Sequence, residues 1–355
     1  MIDSLHVVIP GDLEIRTGGY GYDRRIIAGL RDRGWRVDVL GLDSSFPVPT
    51  PAARAHATQV LASIPDGSTV LVDGLALGAL PVEIERESAR LKVVGLVHHP
   101  LAEETGIDPA LAASLKISES RALAAVRAIV VTSRTTAARL DYYGVAANRI
   151  TVVEPGTDPA PLARGAAAAG QPPGVALLCV ATLTPRKGYE LLMNALAATP
   201  SQNWRLTCAG SLDRDAPTVA RVLEQVRDNG FENRISFVGD LDAAAVAVQY
   251  DRADVFVLPT FYEGYGMVVA EALARGLPVV STATGAILDL VGGDAGIVVQ
   301  PGDLPAFSDA LSRVIADPGL RARLADGARR VRQRLPTWDA SAGAMAQALQ
   351  SAAGS

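Results

Sequence analysis

A repeating rhythm restricts what this chain can become. Short apolar runs, rich in β-branched residues, fall at 5–9, 35–40, 69–72, 93–97, 128–131 and 150–153. Amphipathic stretches long enough for helices separate most of them. The stretch at 22–33 closes on Arg31-Asp32-Arg33-Gly34, a basic last turn followed by a glycine. Strand alternating with helix reads as a parallel α/β sheet. The rhythm then restarts. Strands are expected at 175–180, 204–209, 235–238, 255–258, 279–281 and 296–299, and helices at 188–197, 218–228, 243–251, 267–275, 304–315 and 320–333. No residue-level repeat accompanies it, so the architecture is duplicated without a solenoid unit.

The expected fold is therefore α/β, with two Rossmann-like, doubly wound parallel-sheet domains. A length of 355 residues suits about two domains. Between the halves, 159–173 carries proline and glycine at both ends of an alanine-rich middle, which reads as a linker with room for one short helix. Two such domains on a hinge would face each other across a cleft. Open parallel sheets bind ligands at the carboxyl ends of their strands, so the chemistry is sought there.

Charge narrows the function classes. Lys+Arg number 33 against 38 Asp+Glu, a formal net charge of -5. That balance does not suit a general nucleic-acid binder, and no Lys/Arg run marks an anionic membrane surface. Cys179 and Cys208 each lie inside an apolar run and lack CxxC spacing, so buried reduced thiols are expected. The segment 1–6 lacks a basic stretch followed by an apolar one, and no stretch of about 18 residues is free of both charge and proline. The expectation is a cytoplasmic enzyme without a transmembrane segment.

The sharpest motif is Phe261-Tyr262-Glu263-Gly264-Tyr265-Gly266-Met267-Val268-Val269-Ala270-Glu271-Ala272, directly after the run at 255–258 and Pro259. Gly264 and Gly266 loosen a loop, and a helix should begin near Met267. Free N–H groups of Gly266, Met267 and Val268 would suit a diphosphate. Glu271 lies just over one turn further on, where a carboxylate can take both hydroxyls of a ribose. Glu263, ahead of the helix, can reach the other end of the same ligand. Two solvated glutamates on a surface helix would be the plain alternative; the strand, Gly-x-Gly turn and helix around them favour the site.

Three further loops follow strand ends. Ala181-Thr182-Leu183-Thr184-Pro185-Arg186-Lys187-Gly188 sets a planar fork beside a point charge, a phosphate clamp or merely a charged helix start. Gly18-Gly19, after the first strand and a long loop, permits close backbone approach to a phosphate or sugar, unless it is a plain flexible loop. Gly19-Tyr20-Gly21 begins like a dinucleotide fingerprint, with Asp43 at a tempting distance, but Arg24 occupies the third glycine position. His98-His99-Pro100 ends the run at 93–97 and could point into the cleft or simply cap the strand. No third ligand is expected nearby, so no metal is expected there. His6 and His56 receive no role. Asp213-Arg214-Asp215 and Asp240-Leu241-Asp242 resemble cation-binding pairs but stand where aspartate caps helices.

Taken in order, Gly18-Gly19, Pro155-Gly156-Thr157-Asp158, Arg186-Lys187-Gly188 and Glu263-x7-Glu271 resemble the retaining family 4 glycosyltransferases of the GT-B fold, the glycosyl transferases group 1 type. The resemblance spans nearly the whole chain. It implies domains at 1–160 plus 336–355, on the acceptor side, and 161–335, binding the donor; a final helix at 338–352 would cross back to the first domain. It implies that Glu271 binds the ribose of a nucleotide-diphosphate sugar and Glu263 contacts the donor sugar. Arg186 and Lys187 would neutralise the departing diphosphate. Gly264 and Tyr265 belong to the same donor loop, and Gly266, Met267 and Val268 give it backbone donors. Gly18 and Gly19 close on the donor, Leu241 lies by the base, and His98 stands near the transferred sugar and acceptor. Thr182 occupies the place where many members carry arginine, and Arg186 is expected to compensate.

The function so implied is retaining transfer of a hexose to an unidentified hydroxyl on a small-molecule, glycan or lipid-linked acceptor. The catalytic set would be His98, Glu263, Arg186 and Lys187, with no metal and no cofactor besides the donor. Loss of a nucleoside diphosphate builds negative charge on the leaving oxygen, which a preorganised cationic site stabilises. No carboxylate stands out as a nucleophile, so the front-face displacement that the resemblance implies, with the leaving phosphate acting as base, is favoured over the paired-acid chemistry of glycoside hydrolysis. A sugar-nucleotide epimerase or hydrolase of the same fold, or a non-catalytic nucleotide-sugar binder, is the alternative.

Overall fold

The computed structural model describes residues 3–354; Met1 and Ile2, which open the segment read for a leader, and Ser355 lie outside the described residues. The chain divides into two compact units, Met1–Gly156 with Pro336–Ser355, and Thr157–Leu335. Residues 159–173 belong to the second unit and include the short helix Gly165–Ala168.

The first unit holds a six-stranded sheet of β1 (Ser4–Pro10), β2 (Arg36–Leu42), β3 (Thr69–Asp73), β4 (Lys92–Val97), β5 (Ala128–Val131) and β6 (Ile150–Val152). All its pairings are parallel, in the order β2-β1-β3-β4-β5-β6. The second unit repeats the plan with β7 (Val175–Val180), β8 (Trp204–Ala209), β9 (Ile235–Gly239), β10 (Val255–Leu258), β11 (Val279–Thr282) and β12 (Gly296–Val299), ordered β12-β11-β10-β7-β8-β9. Its pairings are parallel as well. Parallel strands are covered on both faces, so they read as unbroken apolar runs, and all of β10 is buried. Each fully buried Val, Leu or Phe there contributes roughly 1.5–3 kcal/mol of transfer free energy.

The strand order fixes where loops gather. It reverses between β1 and β3 in the first sheet and between β7 and β10 in the second. At such a reversal successive connections leave in opposite directions and open a crevice beyond the carboxyl ends of the strands. The loops after β7 and β10 carry the Arg186-Lys187 and Glu263 motifs.

Several helices begin earlier than the apolar periodicity predicts. The helix expected at 218–228 is Ala216–Asp228, capped by Asp215, and that expected at 320–333 is Pro318–Arg332, capped by Asp317. In both, proline fills the first turn, where its missing N–H costs nothing and its fixed φ suits the helix. The first helix is Gly18–Asp32 in place of 22–33. Thr17 caps it, its hydroxyl accepting from the Tyr20 N–H, so Gly18 and Gly19 form its first turn.

The helix Trp338–Gly354 packs within the first unit against Gly18–Asp32. Gly29 marks the closeness: a Cβ there would lie 2.5 Å from the Ala342 methyl. Among the described residues, no helix is long and apolar enough to cross a membrane.

Candidate functional site

In the second unit, the turn Pro185–Lys187 follows β7 and ends on Gly188, whose φ is +71°. A Cβ at Gly188 would meet the Pro259 carbonyl oxygen at 2.0 Å. Glycine therefore lets this turn lie directly against the loop after β10. The Phe261 N–H and the Thr260 hydroxyl both donate to the Arg186 carbonyl, at 2.8 and 3.1 Å. These contacts bring three charges together. Lys187 Nζ forms an ion pair and hydrogen bond with Glu263 Oε1. Arg186 donates to the Tyr262 carbonyl at 2.9 Å and stands 4.0 Å from Glu263. Glu263 is buried, and burial alone would raise its pKa; Lys187, then Arg186, outweigh burial and hold the carboxyl below its ordinary value.

Glu263 sits in the loop that leads through Gly264 and the buried Tyr265 to Gly266. Gly266 takes φ +93°, and Met267–Ala274 follows as a helix. The first bonds of that helix run from Val269 and Ala270 to the Gly266 carbonyl. The N–H groups of Met267 and Val268 precede them, as first-turn donors without an intrahelical acceptor. Across the same crevice, Gly285 permits a backbone approach in which a Cβ would lie 1.9 Å from the Glu263 carbonyl oxygen.

Glu271 lies within that helix and accepts from the buried Tyr250 hydroxyl at 3.1 Å. The same hydroxyl is 3.1 Å from the Val268 carbonyl. Arg275 covers the Tyr250 ring at 4.5 Å and donates to the Glu271 carbonyl. Burial raises the Glu271 carboxyl above its usual range, against the Tyr250 hydrogen bond and Arg275; the Asp158 charge adds to the rise. Tyr250 is a site residue that the sequence motifs did not identify. Its only sequence signal is a tyrosine one turn from the end of Ala243–Arg252, a helix otherwise rich in alanine.

Leu241 is half-buried just beyond β9 and ahead of the cap Asp242. Thr182 is half-buried after β7 and has no charged group to offer, so Arg186 and Lys187 are the cations of this loop. The Asp-x-Asp pairs do what aspartate does at helix starts: Asp215 accepts from Thr218 and Asp242 from Ala245. Cys179 and Cys208 oppose each other on β7 and β8 as buried free thiols, and burial pushes Cys179 up to about 12.

In the first unit, His98 follows β4 and turns Nε2 toward Asp23 Oδ1 at 3.2 Å and Asp73 Oδ2 at 3.7 Å. His99 turns elsewhere, to Glu104 Oε2 at 3.1 Å. The expectation that His98 has no third ligand group nearby is therefore corrected. Asp23, Asp73 and His98 each offer a ligand atom within 4.8 Å of the others. Sequence separation hid this: β1, β3 and β4 are neighbours in the sheet, and the helix after β1 brings Asp23 across. Gly19 lies against the ring, where a Cβ would sit 3.5 Å from His98 Cδ2; at Gly18 a Cβ would meet nothing within 4 Å. Asp43 is exposed and accepts from the Ser45 N–H, a turn contact.

Residues 174–317 match the family model of glycosyl transferases group 1. The D-inositol 3-phosphate glycosyltransferase of Xylanimonas cellulosilytica is 35% identical over 244 residues, 64% of this chain and 58% of the relative. That of Salinispora arenicola is 30% identical over 238 residues, 60% of this chain and 52% of the relative. The chain thus spans little more than half the length of these relatives. Among solved structures, sucrose-phosphate synthase from Thermosynechococcus elongatus superposes with a TM-score of 0.81 at 23% identity, covering 98% of each chain. Anabaena HepE in complex with UDP-glucose does so with 0.77 at 18% identity, over 98% of this chain and 99% of that one. Over 174–317 the chain is similar to the glycosyl transferases group 1, and over its length it has the GT-B fold of these solved glycosyltransferases.

Proposed function

We propose that this protein is a retaining family 4 glycosyltransferase that moves a hexose from a nucleoside-diphosphate sugar to an acceptor hydroxyl without a metal ion. The observation that carries the proposal is the grouping at the β7/β10 reversal. Lys187, Arg186 and Glu263 stand at one end of a loop whose helix starts at Met267 and bears Glu271 one turn on. A diphosphate needs cations and free N–H donors together; this segment supplies both. Glu271, steadied by Tyr250, suits a ribose diol, and Leu241 suits the flank of a base. Glu263 then serves the donor sugar, and Gly264 and Tyr265 shape the loop that carries it.

Arg186, Lys187 and the helix start act on the leaving group, where negative charge grows as the glycosidic bond breaks. The same proposal assigns Gly18, Gly19 and His98 to the transferred sugar and its acceptor. Glycine at 18 and 19 supports this: neither takes a left-handed φ that would demand it. Nothing in the chain crowds a Cβ at position 18. The named inositol-phosphate relatives make a phosphorylated polyol the first acceptor to try.

The test is a thermal-shift screen with UDP, GDP, ADP and TDP and their sugars, followed by turnover assays with and without a chelator. One nucleotide should raise the melting temperature, and Glu271→Gln should weaken its binding by on the order of 1.5–3 kcal/mol, the worth of charged hydrogen bonds. Equal affinity in wild type and variant for every nucleotide sinks the proposal. Stoichiometric free sugar without acceptor favours a hydrolase, and activity abolished by the chelator removes the metal-free mechanism.

A further inference from the structure

His98 is grouped with two buried carboxylates in the first unit. Asp23 and Asp73 are each 3% exposed, and the His98 side chain is 21% exposed. A small cavity beside them is lined by Ile9, Ile26, Leu71 and Leu96 together with Asp23 and Asp73. Asp23 Oδ2 is buried there with no hydrogen-bond partner among the described residues. Carboxylates in such surroundings are expensive, and apolar residues of similar size would hold helix to sheet more cheaply. Asp73 also caps the turn after β3 by accepting from the Leu75 N–H at 2.9 Å, whereas among the described residues the hydrogen-bond partner of the Asp23 carboxylate is the imidazole.

We propose that Asp23 and Asp73 are positioning residues for His98: they engage its Nε2–H, fix the plane of the ring and leave Nδ1 as the nitrogen offered to a hydroxyl of the acceptor or the transferred sugar. The ring is held from other directions too. It lies on Gly19, meets Tyr22 edge to face at 5.4 Å between centroids, and its carbonyl takes the Thr132 and Thr136 hydroxyls at 3.4 Å. A histidine whose one nitrogen donates to a carboxylate has its other nitrogen set as an acceptor while neutral. The second nitrogen is then suited to accept a hydrogen bond from that hydroxyl and hold it in place.

The charges around the ring agree with the geometry. Burial favours the neutral imidazole, but Asp23 and then Asp73 outweigh it and raise His98 above its ordinary value. Asp73 is itself raised to about 7, by burial first and by Asp23 second. The remaining titratable groups nearby are phenols and one loop carboxylate. Tyr20 donates to the Pro10 carbonyl, Tyr22 donates to the Val153 carbonyl, and Asp12 lies in the loop after β1.

The role of Nδ1 rests on the proposed transferase activity, so the experiment reads the histidine directly. The full chain is labelled with 15N-histidine, and long-range imidazole spectra are titrated with pH, with His98→Gln assigning the signal. His98 should titrate above free histidine and carry its neutral proton on Nε2. In Asp23→Asn its midpoint should fall, and kcat should fall tenfold or more with the donor KM little changed. A wild-type proton on Nδ1, or a midpoint unmoved in both Asp23→Asn and Asp73→Asn, overturns the proposal; the wild-type spectrum decides even where a variant does not fold. An unchanged kcat in folded Asp23→Asn overturns it as well. Absence of turnover with every donor would instead sink the transferase reading, while the tautomer and midpoint still test the positioning.

Discussion

Glu119 shows how much a single buried side chain can reveal. It is 1% exposed in the helix Pro109–Ala125; Oε2 accepts from the Leu101 N–H at 2.9 Å, and Oε1 is buried without a partner among the described residues. Burial pushes the carboxyl up to about 8, against the Leu101 hydrogen bond and with help from Glu103. Its folded value is thus above its unfolded one. The stability linked to that proton is complete below the unfolded value, near pH 4.5, and is lost as pH rises through about 8. Glu119→Gln keeps the acceptor for Leu101 and removes the ionisation. Urea titrations at pH 4.5 and pH 9 should show little difference from wild type at the lower pH. At the higher pH the variant should be more stable by on the order of a few kcal/mol. A variant less stable at pH 9 would refute this account. Neither Glu119 nor the pair Asp23 and Asp73 was legible as special in the sequence. An acidic residue among apolar ones has the same letter whether it meets solvent or an imidazole brought in from a strand far along the chain. Glu263 and Glu271 were legible because their partners, a strand end, two glycines and a helix start, are local.

At the scale of elements, glycine separates two kinds of demand. Gly188 is required by the fold. It combines a left-handed φ with a Pro259 carbonyl where a Cβ would lie, so Gly188→Ala must displace the turn that carries Arg186 and Lys187. It should lower the stability of the second unit by about 2 kcal/mol or more, as strain at left-handed positions adds to the clash. Gly18 is the opposite case, with helical backbone and open space around it. Gly18→Ala should leave the first unit as stable or more stable, by up to about 1 kcal/mol, yet reduce turnover. Calorimetry beside a transfer assay distinguishes the two. Loss of stability in Gly18→Ala, or its retention in Gly188→Ala, would reverse the assignment. The strands were the most legible elements because a parallel sheet buried on both faces writes itself as apolar runs. Helix starts were less legible. Their first turns hold Pro, Gly and cap residues that carry no periodicity, as at Ala216, Pro318 and Gly18.

For the whole molecule, each unit has a large hydrophobic core of its own, which makes two cooperative blocks. Scanning calorimetry should resolve two transitions. A nucleoside diphosphate at 100 times its dissociation constant should stabilise the transition of Thr157–Leu335 by about 2.7 kcal/mol through mass action. Removing the residues after Leu335 should weaken the other transition, because Gly29 and Gly156 are shaped to receive Ala342 and Trp338. If that truncation lowers the nucleotide-sensitive transition instead, the division is wrong.

The return of Trp338–Gly354 to the first unit also sets an order of assembly. A ribosome releases residues in sequence, and domains fold as their chains emerge. Synthesis of the first unit starts earlier, yet that unit waits with the face of its opening helix uncovered until Trp338–Gly354 has left the exit tunnel. The second unit, an insertion within the first, has all its parts by Leu335. The half bearing Arg186, Lys187, Glu263 and Glu271 is therefore the one that can be completed first on the nascent chain.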